Sequence, residues 1–437
     1  MATGRCQLSL WPFVAGLALI ASGSEAASPL STLRGLDAAW PSLDALYQDL
    51  HRHPELSFQE KRTAALLAER LRALGFDVTE GVGRTGIVGV LRNGNRPVLM
   101  VRTDLDALPV AERTGLAYAS ENAGVMHACG HDVHMTAWIG AATLLSQARS
   151  QWRGTLVFVG QPAEETGEGA AAMLADGLLS RFPKPDYVLA MHDTEAMPAG
   201  HVDAQPGGVA SASNGVDIVF HGKGGHGALP HLAIDPVVIA ARTVVALQTI
   251  VAREIDPLDA AVVTVGTFNA GTKRNVIPDE ATLQLTVRSY KPEVQKHLLE
   301  SIARIARAEA AAANAPREPT VTVDEHEGNQ VLFNDPGMAA RVHGAFERGL
   351  GTERVDAGPP TMASEDFGAF GRAAGVPSVQ FRVGATAADV YARWRAGGPA
   401  PPGPHNPAFA PDREPTLRTA TTALTLGVLE MLTPAKR

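Results

Sequence analysis

Three histidines and a cysteine crowd into one short stretch, His127-Ala128-Cys129-Gly130-His131-Asp132-Val133-His134. Thiolate and imidazole together form the usual ligand set of zinc and similar ions. Cys129 and His131 stand two apart around a glycine, so they can converge from a turn. His134 would lie one helical turn on, in a supporting or packing position. The competing reading of the stretch is a histidine-rich surface loop.

A second group, Gly160-Gln161-Pro162-Ala163-Glu164-Glu165, directly follows an apolar run that reads as a strand over 155–159. Adjacent carboxylates leaving a strand end point in different directions. One can bind an ion while the other faces the ion's water. A metal lowers that water's pKa towards neutrality, and a free carboxylate can accept and relay the proton. Taken alone, the pair fits a solvated acidic turn better. Arg102-Thr103-Asp104-Leu105-Asp106 also ends a strand. Asp104 and Asp106 point to one side of an extended chain and suit accepting a hydrogen bond from a ligand histidine, a turn or cap being the alternative. Met191-His192-Asp193 and Pro404-His405-Asn406-Pro407 each offer one histidine, a weak signal singly. Together Cys129, His131, Glu165, His192 and His405 make five ligands. Two divalent ions sharing a water need about that many, with positions left open for substrate.

The hydrophobic pattern supplies the frame for these residues. Helices are expected over 41–50, 58–74 and 132–147, and strands over 87–91, 98–102, 155–159 and 187–191. Such alternation indicates an α/β layered domain with a largely parallel sheet, whose strand carboxyl ends gather catalytic groups. The pattern then changes to strand 215–220, helix 235–255 opened by Pro236, strands 261–266 and 281–289, helix 292–313 and strand 320–324. Proline is tolerated at such a helix start, and β-α-β-β-α-β is a self-contained two-layer module. Helix–strand alternation resumes after residue 334. The expected organisation is a catalytic domain in two parts, 28–211 and 327–437, interrupted by an inserted α+β ferredoxin-like domain at 212–326. The Pro/Gly-rich stretch 397–404 reads as an irregular loop.

A chain of 437 residues accommodates two or three domains at roughly 150 residues each. Apolar residues at 45% against 19% charged exclude disorder and fibre. A net charge of −8 without a basic stripe argues against nucleic acid as a partner. At 5% aromatic, a carbohydrate-stacking surface is disfavoured. Arg5 precedes an apolar run over 8–20, and Ser24-Glu25-Ala26-Ala27 resembles a small-x-small cleavage site. Residues 1–27 therefore read as a secretory signal, with export to a periplasm or beyond. The run is too short and interrupted for a stable membrane anchor. After cleavage Cys129 is the lone cysteine, in a compartment that favours disulfides. Ion binding would explain why it stays unpaired.

In order along the chain come His51-Arg52-His53-Pro54-Glu55-Leu56, Asp104-Leu105-Asp106-Ala107-Leu108-Pro109 and His127-Ala128-Cys129-Gly130-His131-Asp132. Gln161-Pro162-Ala163-Glu164-Glu165, Gly224-Gly225-His226-Gly227, Asn275-Val276-Ile277-Pro278 and Ser364-Glu365-Asp366-Phe367 follow. This series resembles the M20-type metallopeptidases, in the amidohydrolase branch that includes hippurate hydrolases and auxin-conjugate hydrolases. The resemblance implies a metal-dependent amidohydrolase acting on N-acyl amino acids or small peptide-like amides. It implies two divalent ions per subunit, zinc or manganese with cobalt as a further candidate, on Cys129, His131, Glu165, His192 and His405. Glu164 would be the general base, with Asp104 in the catalytic set. The inserted domain would be a lid and the homodimer contact. His226 would stabilise the oxyanion, often from the partner subunit, and Asn275 and Arg288 would hold the substrate's carbonyl or carboxylate.

Three positions depart from the wider pattern. Arg102 stands where many M20 peptidases place a metal-binding histidine, a feature of the amidohydrolase branch in which Cys129 takes up the coordination. Phe367 stands where some aminoacylase relatives place an arginine for the substrate carboxylate. Asp193-Thr194-Glu195-Ala196 is more acidic than the valine-containing version of relatives. The rival readings are a dipeptidase or carboxypeptidase of the same family, and a non-catalytic periplasmic protein that binds a metal or ligand.

Overall fold

The computed structural model describes residues 1, 2 and 29–433. The expected signal segment lies outside the described residues. Strands Gly86–Arg92, Val98–Asp104, Thr155–Gln161 and Ser378–Thr386 are buried along nearly their whole length rather than alternating. That is the signature of a sheet covered on both faces. Leu99 and Val101 enter the core on one face with Trp138 and Phe158, while Val98 and Met100 enter the other with Val157, Phe367 and Phe370. Helices Leu36–Arg52, His131–Gln147 and Arg413–Leu432 cover the first face.

Among the described residues this sheet has seven strands, in the order 77–82, 86–92, 155–161, 98–104, 187–198, 378–386, 202–203. It is parallel at its centre, where strands 155–161, 98–104, 187–198 and 378–386 run together, and antiparallel at both margins. The parallel strands therefore end on one side. Asp104 pairs with Gln161, and His192 with Arg382, so strand ends 60 to 280 residues apart in sequence, to the nearest twenty, are brought together. Strand Tyr187–Pro198 runs seven residues beyond the expected 187–191, carrying His192 and Asp193 inside it.

The inserted module packs two helices, Pro236–Thr249 and Pro292–Ala312, on an antiparallel sheet in the order 261–270, 280–289, 212–221, 320–329. It has its own core, built on Ile218, Phe220, Leu247, Leu283, Leu298 and Ile302. Asp235 caps the first helix by accepting from Val237 N, with Pro236 at the first helical position. The last turn of the expected helix 235–255 widens into a π-turn over Ile250–Glu254. Helix Leu36–Arg52 begins before Pro41, where the sequence placed its start, and helix Lys61–Ala73 begins after the turn at 58–60. Ser213 Oγ lies 2.9 Å from Ser364 Oγ, and Asn329 Nδ2 donates to Ser364 Oγ at 2.9 Å, tying the module to the segment before Glu365.

Candidate metal centre

Gly130 caps helix His131–Gln147 in the left-handed region, φ +78°. A Cβ there would lie 2.4 Å from the Asp193 carboxylate oxygens, so only glycine fits this approach. The turn places Cys129 just before the helix and His131 at its first position. His131 Nδ1 donates to the backbone carbonyl of Asp106 at 2.8 Å, and His192 Nδ1 to that of Asp193 at 2.6 Å. Both rings are thereby held with Nε2 presenting a lone pair, the arrangement metal-ligating histidines use. His192 Nε2 lies 3.6 Å from Cys129 Sγ.

Glu165 Oε1 is 3.7 Å from His131 Nε2, and Glu165 Oε2 is 3.3 Å from His405 Nε2. His405 is 58% exposed and sits at φ +68°, a costly backbone for a non-glycine residue, fixed by its N–H to Ala128 O at 2.7 Å. Donor atoms of Cys129, His131 and His192 lie within 4.8 Å of one another; so do those of Cys129, Glu165 and His405. The five expected ligands thus form two clusters sharing Cys129. Buried His131 Nε2 and Glu165 Oε1 have no hydrogen-bond partner, which a bound cation would supply. Burial, then Glu165 and Glu164, push the Cys129 thiol's pKa up, so a nearby cation is what would make it a thiolate. The donor set fits divalent metal.

Glu164 is buried beside this set, Oε2 4.0 Å from His131 Nε2, and its donor atom lies within 4.8 Å of those of both His131 and Glu165. Burial raises its pKa well above the usual carboxylate range, with Glu365, Glu165 and Asp366 adding to the effect. Such a carboxylate holds a proton readily. Asp106 Oδ2 accepts from Glu165 N at 3.1 Å and from Ser57 Oγ at 2.7 Å, fixing the backbone that carries the Glu165 side chain.

Asp104 is fully buried and outside the cleft lining. Its Oδ1 meets His134 Nδ1 at 2.7 Å and its Oδ2 accepts from Arg102 Nη1 at 2.7 Å. Its Oδ2 also lies 3.7 Å from His131 Nε2, so it borders both histidines from inside the protein. His134 bridges Asp104 and Asp193; burial works against its charge, but the two carboxylates raise its pKa to about 9. Arg102 is buried and also reaches Gln161 at 2.9 Å, Glu365 at 2.9 Å and Asp366 at 3.2 Å. Nothing in the spacing links positions 102 and 365, so sequence reasoning missed this cluster.

A cleft of about 1080 Å³ opens from Cys129, Glu164, Glu165, His192 and His405 towards the inserted module. Arg288 lines it, with one hydrogen bond, Nε to Thr286 Oγ1 at 3.2 Å, and no carboxylate within ion-pair distance among the described residues. Its burial lowers its pKa, the mark of an uncompensated cation. Phe367 is buried in the core and does not reach the cleft. His226 and Asn275 are exposed, and neither lines the cleft. They lie together on the module, where His226 pairs with Val276 and Gly227 N donates to Asn275 O.

A model of peptidase family M20/M25/M40 matches residues 100–394. The hippurate hydrolase of Campylobacter jejuni is 38% identical over 332 residues, covering 75% of this chain and 84% of that protein. An N-acetyl-L-cysteine deacetylase of Bacillus subtilis is 36% identical over 326 residues, covering 74% and 76%. Among solved structures, a dinuclear metal binding peptidase of the M20 family from Bacillus subtilis superposes with a TM-score of 0.73 at 30% identity. That match covers 91% of this chain and 100% of the other.

Proposed function

The chain belongs to peptidase family M20/M25/M40, and from that membership we propose that this metal-dependent amidohydrolase cleaves the amide bond of N-acyl amino acids or small peptide-like amides. The observation that carries this reading is the convergence of Cys129, His131, Glu165, His192 and His405 at one end of the cleft with a second carboxylate, Glu164, beside them. Of the two carboxylates we assign Glu165, 3.7 Å from His131 and 3.3 Å from His405, as the ligand and Glu164 as the proton carrier. Those five residues hold two divalent ions, zinc or manganese, with cobalt as a substitute; thiolate favours zinc, carboxylate suits manganese. The ions would supply Lewis acidity towards the scissile carbonyl and a water of lowered pKa. Glu164 takes the proton of the attacking water and passes it to the departing amine nitrogen. Arg288 receives the substrate's carboxylate, which supplies the partner its guanidinium lacks. Asp104 and Asp106 hold His134, His131 and Glu165 in place while the proton moves.

The active form in this reading is a homodimer through the inserted module. Val238, Val245 and Phe268 are exposed on it, at 54%, 72% and 41%. Helix Pro236–Glu254 is apolar enough to cross a membrane by length and composition, but one face packs on the module's own sheet. A second copy is the cover we assign to the other face. In the dimer, His226 and Asn275 serve the partner's cleft, where His226 donates to the carbonyl oxygen as negative charge develops. The protein works after export, in the periplasm or outside the cell, once the segment 1–27 is removed.

Glu164→Gln tests the reading. It should keep its metal yet lose kcat by on the order of a hundredfold or more. Substantial turnover in a metal-loaded Gln variant would refute the role. A panel of N-acetyl and N-benzoyl amino acids and free dipeptides separates acyl-amino-acid cleavage from dipeptidase activity. Turnover confined to substrates with a free α-amine would transfer the assignment to a dipeptidase, for which the cleft-lining Glu195 offers an amine-binding carboxylate.

A further inference from the structure

Glu60 is a fully buried carboxylate in a loop that supplies no ligand and does not line the cleft. It occupies the cap position of helix Lys61–Ala73, where a polar side chain ordinarily turns inward to satisfy the first helical N–H groups. Its side chain makes no such bond. Glu55 does that work instead, accepting from Arg62 N at 3.1 Å and Thr63 N at 2.8 Å. The Glu60 carboxylate is thereby released to point across to the turn that carries Glu164. Its Oε1 accepts from Ala163 N at 2.9 Å and from Phe58 N at 2.9 Å, and its Oε2 from Thr85 Oγ1 at 2.5 Å. No basic side chain forms an ion pair with it among the described residues.

The two backbone groups it holds are unusual. Ala163 has φ +50° and Phe58 has φ +60°, both in the left-handed region that non-glycine residues rarely occupy. Such conformations persist only where surrounding contacts over-determine them. Ala163 immediately precedes Glu164, so its backbone sets the direction in which the Glu164 side chain leaves. On the other side of the turn, Gly169 N donates to Ala163 O, and Gly167 N to Glu164 O. The N–H of Ala163 is thus the contact that ties the turn to the rest of the domain on the Glu60 side.

We infer that Glu60 is a positioning residue for the proton carrier: it fixes the strained Ala163 backbone and so aims Glu164 at the reacting water. The inference rests on the assignment of Glu164 as proton carrier. A glutamine at position 60 can do the same work, its carbonyl oxygen accepting from Ala163 and Phe58 and its amide donating to Thr85. Alanine cannot, and it leaves a buried N–H without a partner.

The test compares Glu60→Ala, Glu60→Gln and Thr85→Val in the metal-loaded full chain, measuring kcat and KM separately with metal content by elemental analysis. Glu60→Ala should lower kcat by about tenfold to a hundredfold, the scale of a misplaced catalytic group. KM and bound metal should stay within about twofold, because ligands and Arg288 are untouched. Glu60→Gln should restore kcat to within a few-fold of the wild type, and Thr85→Val should fall between. A kcat within twofold of wild type in Glu60→Ala, or a Glu60→Gln as impaired as the alanine, overturns the inference. If the alanine variant does not fold, Thr85→Val decides: lowered kcat at constant KM supports the role, and unchanged kcat removes it. Turnover surviving in Glu164→Gln would sink the underlying assignment; turnover surviving in Glu60→Ala while Glu164→Gln is dead sinks only this one.

Discussion

Nε2 of His131 and Oε1 of Glu165 face each other across 3.7 Å, both buried and both without a hydrogen-bond partner. Leaving a buried polar atom unsatisfied costs about 1–3 kcal/mol. A cation between them offsets that cost, so metal binding and folding stability are linked. Chelation should lower the melting temperature by roughly 5 °C or more, and added zinc or manganese should restore it. Equal melting curves with and without chelator would exclude this pair as a cation site.

Because the two donor clusters share Cys129, the ligands should not be equivalent. Cys129→Ala should lose metal from both positions, whereas His405→Ala should lose close to one equivalent. Elemental analysis after gel filtration reads the difference directly. Identical losses in the two variants would contradict the shared-ligand arrangement.

Arg102 is enclosed by Asp104, Glu365 and Asp366 with essentially no contact with water. Burial works against its charge, but these carboxylates raise its pKa above the ordinary value. Arg102→Met would strand three buried carboxylates around an apolar side chain. The expected cost is about 3–5 kcal/mol of stability, measured by urea denaturation. Lysine should rescue only part of it, because an ammonium cannot reproduce the guanidinium's fork. A loss below about 1 kcal/mol in the methionine variant would show that the carboxylates take up protons without consequence.

His51 lies between Asp132 and Glu112, at 2.6 and 3.3 Å. Burial opposes its charge, yet the two carboxylates raise its pKa from 6.5 to about 9. Burial likewise opposes the charge of Glu112, and its bonds to His51, Ser120 and Thr114 lower its pKa from 4.5 to about 2. A raised histidine stabilises fully below pH 6.5 and loses that contribution as pH rises through 9. A lowered carboxylate stabilises fully above pH 4.5 and loses it as pH falls through 2. The network therefore contributes most between pH 4.5 and 6.5. Wild-type stability should decline by up to about 3 kcal/mol on going to pH 9 and beyond, more steeply than that of His51→Gln. Parallel pH profiles for the two proteins would remove His51 as the titrating group.

His226 lies on the inserted module away from its own cleft, exposed and paired with Val276. If it serves the partner's cleft, His226→Ala and Glu164→Gln homodimers should each be nearly inactive. A hybrid dimer has one cleft with both Glu164 and a partner His226. Dissociating and reassembling an equimolar mixture should then recover about a quarter of wild-type activity, half the dimers being hybrids with one working cleft each. No recovery in a mixture shown to exchange subunits would place His226 outside the reaction.

The residue types of the centre were legible in the chain because their chemistry is local. Cys129-Gly130-His131 is a ligand pair around a glycine that has to turn, and Gly130 does turn at φ +78°. Glu164-Glu165 after a strand fitted a solvated acidic turn when taken alone; the structure buries the Glu164 side chain instead, and Glu165 meets His405 at 3.3 Å. The α/β layering and the β-α-β-β-α-β module were likewise written in hydrophobic periods, because burial selects side chains at fixed spacing.

What only the tertiary structure decided was which distant groups share a space. Arg102 meets Glu365 through strand pairing and a buried turn, and no periodic pattern records a contact across that separation. Glu60 reaches Ala163 because Glu55 takes over the helix cap, an exchange between side chains that the order of residues does not express. Asp104 read from its strand end as a hydrogen-bond acceptor for a histidine, but only the packing decided that His134 is the histidine it meets at 2.7 Å. Local spacing fixes which way a side chain can point, but the third dimension fixes what it meets there.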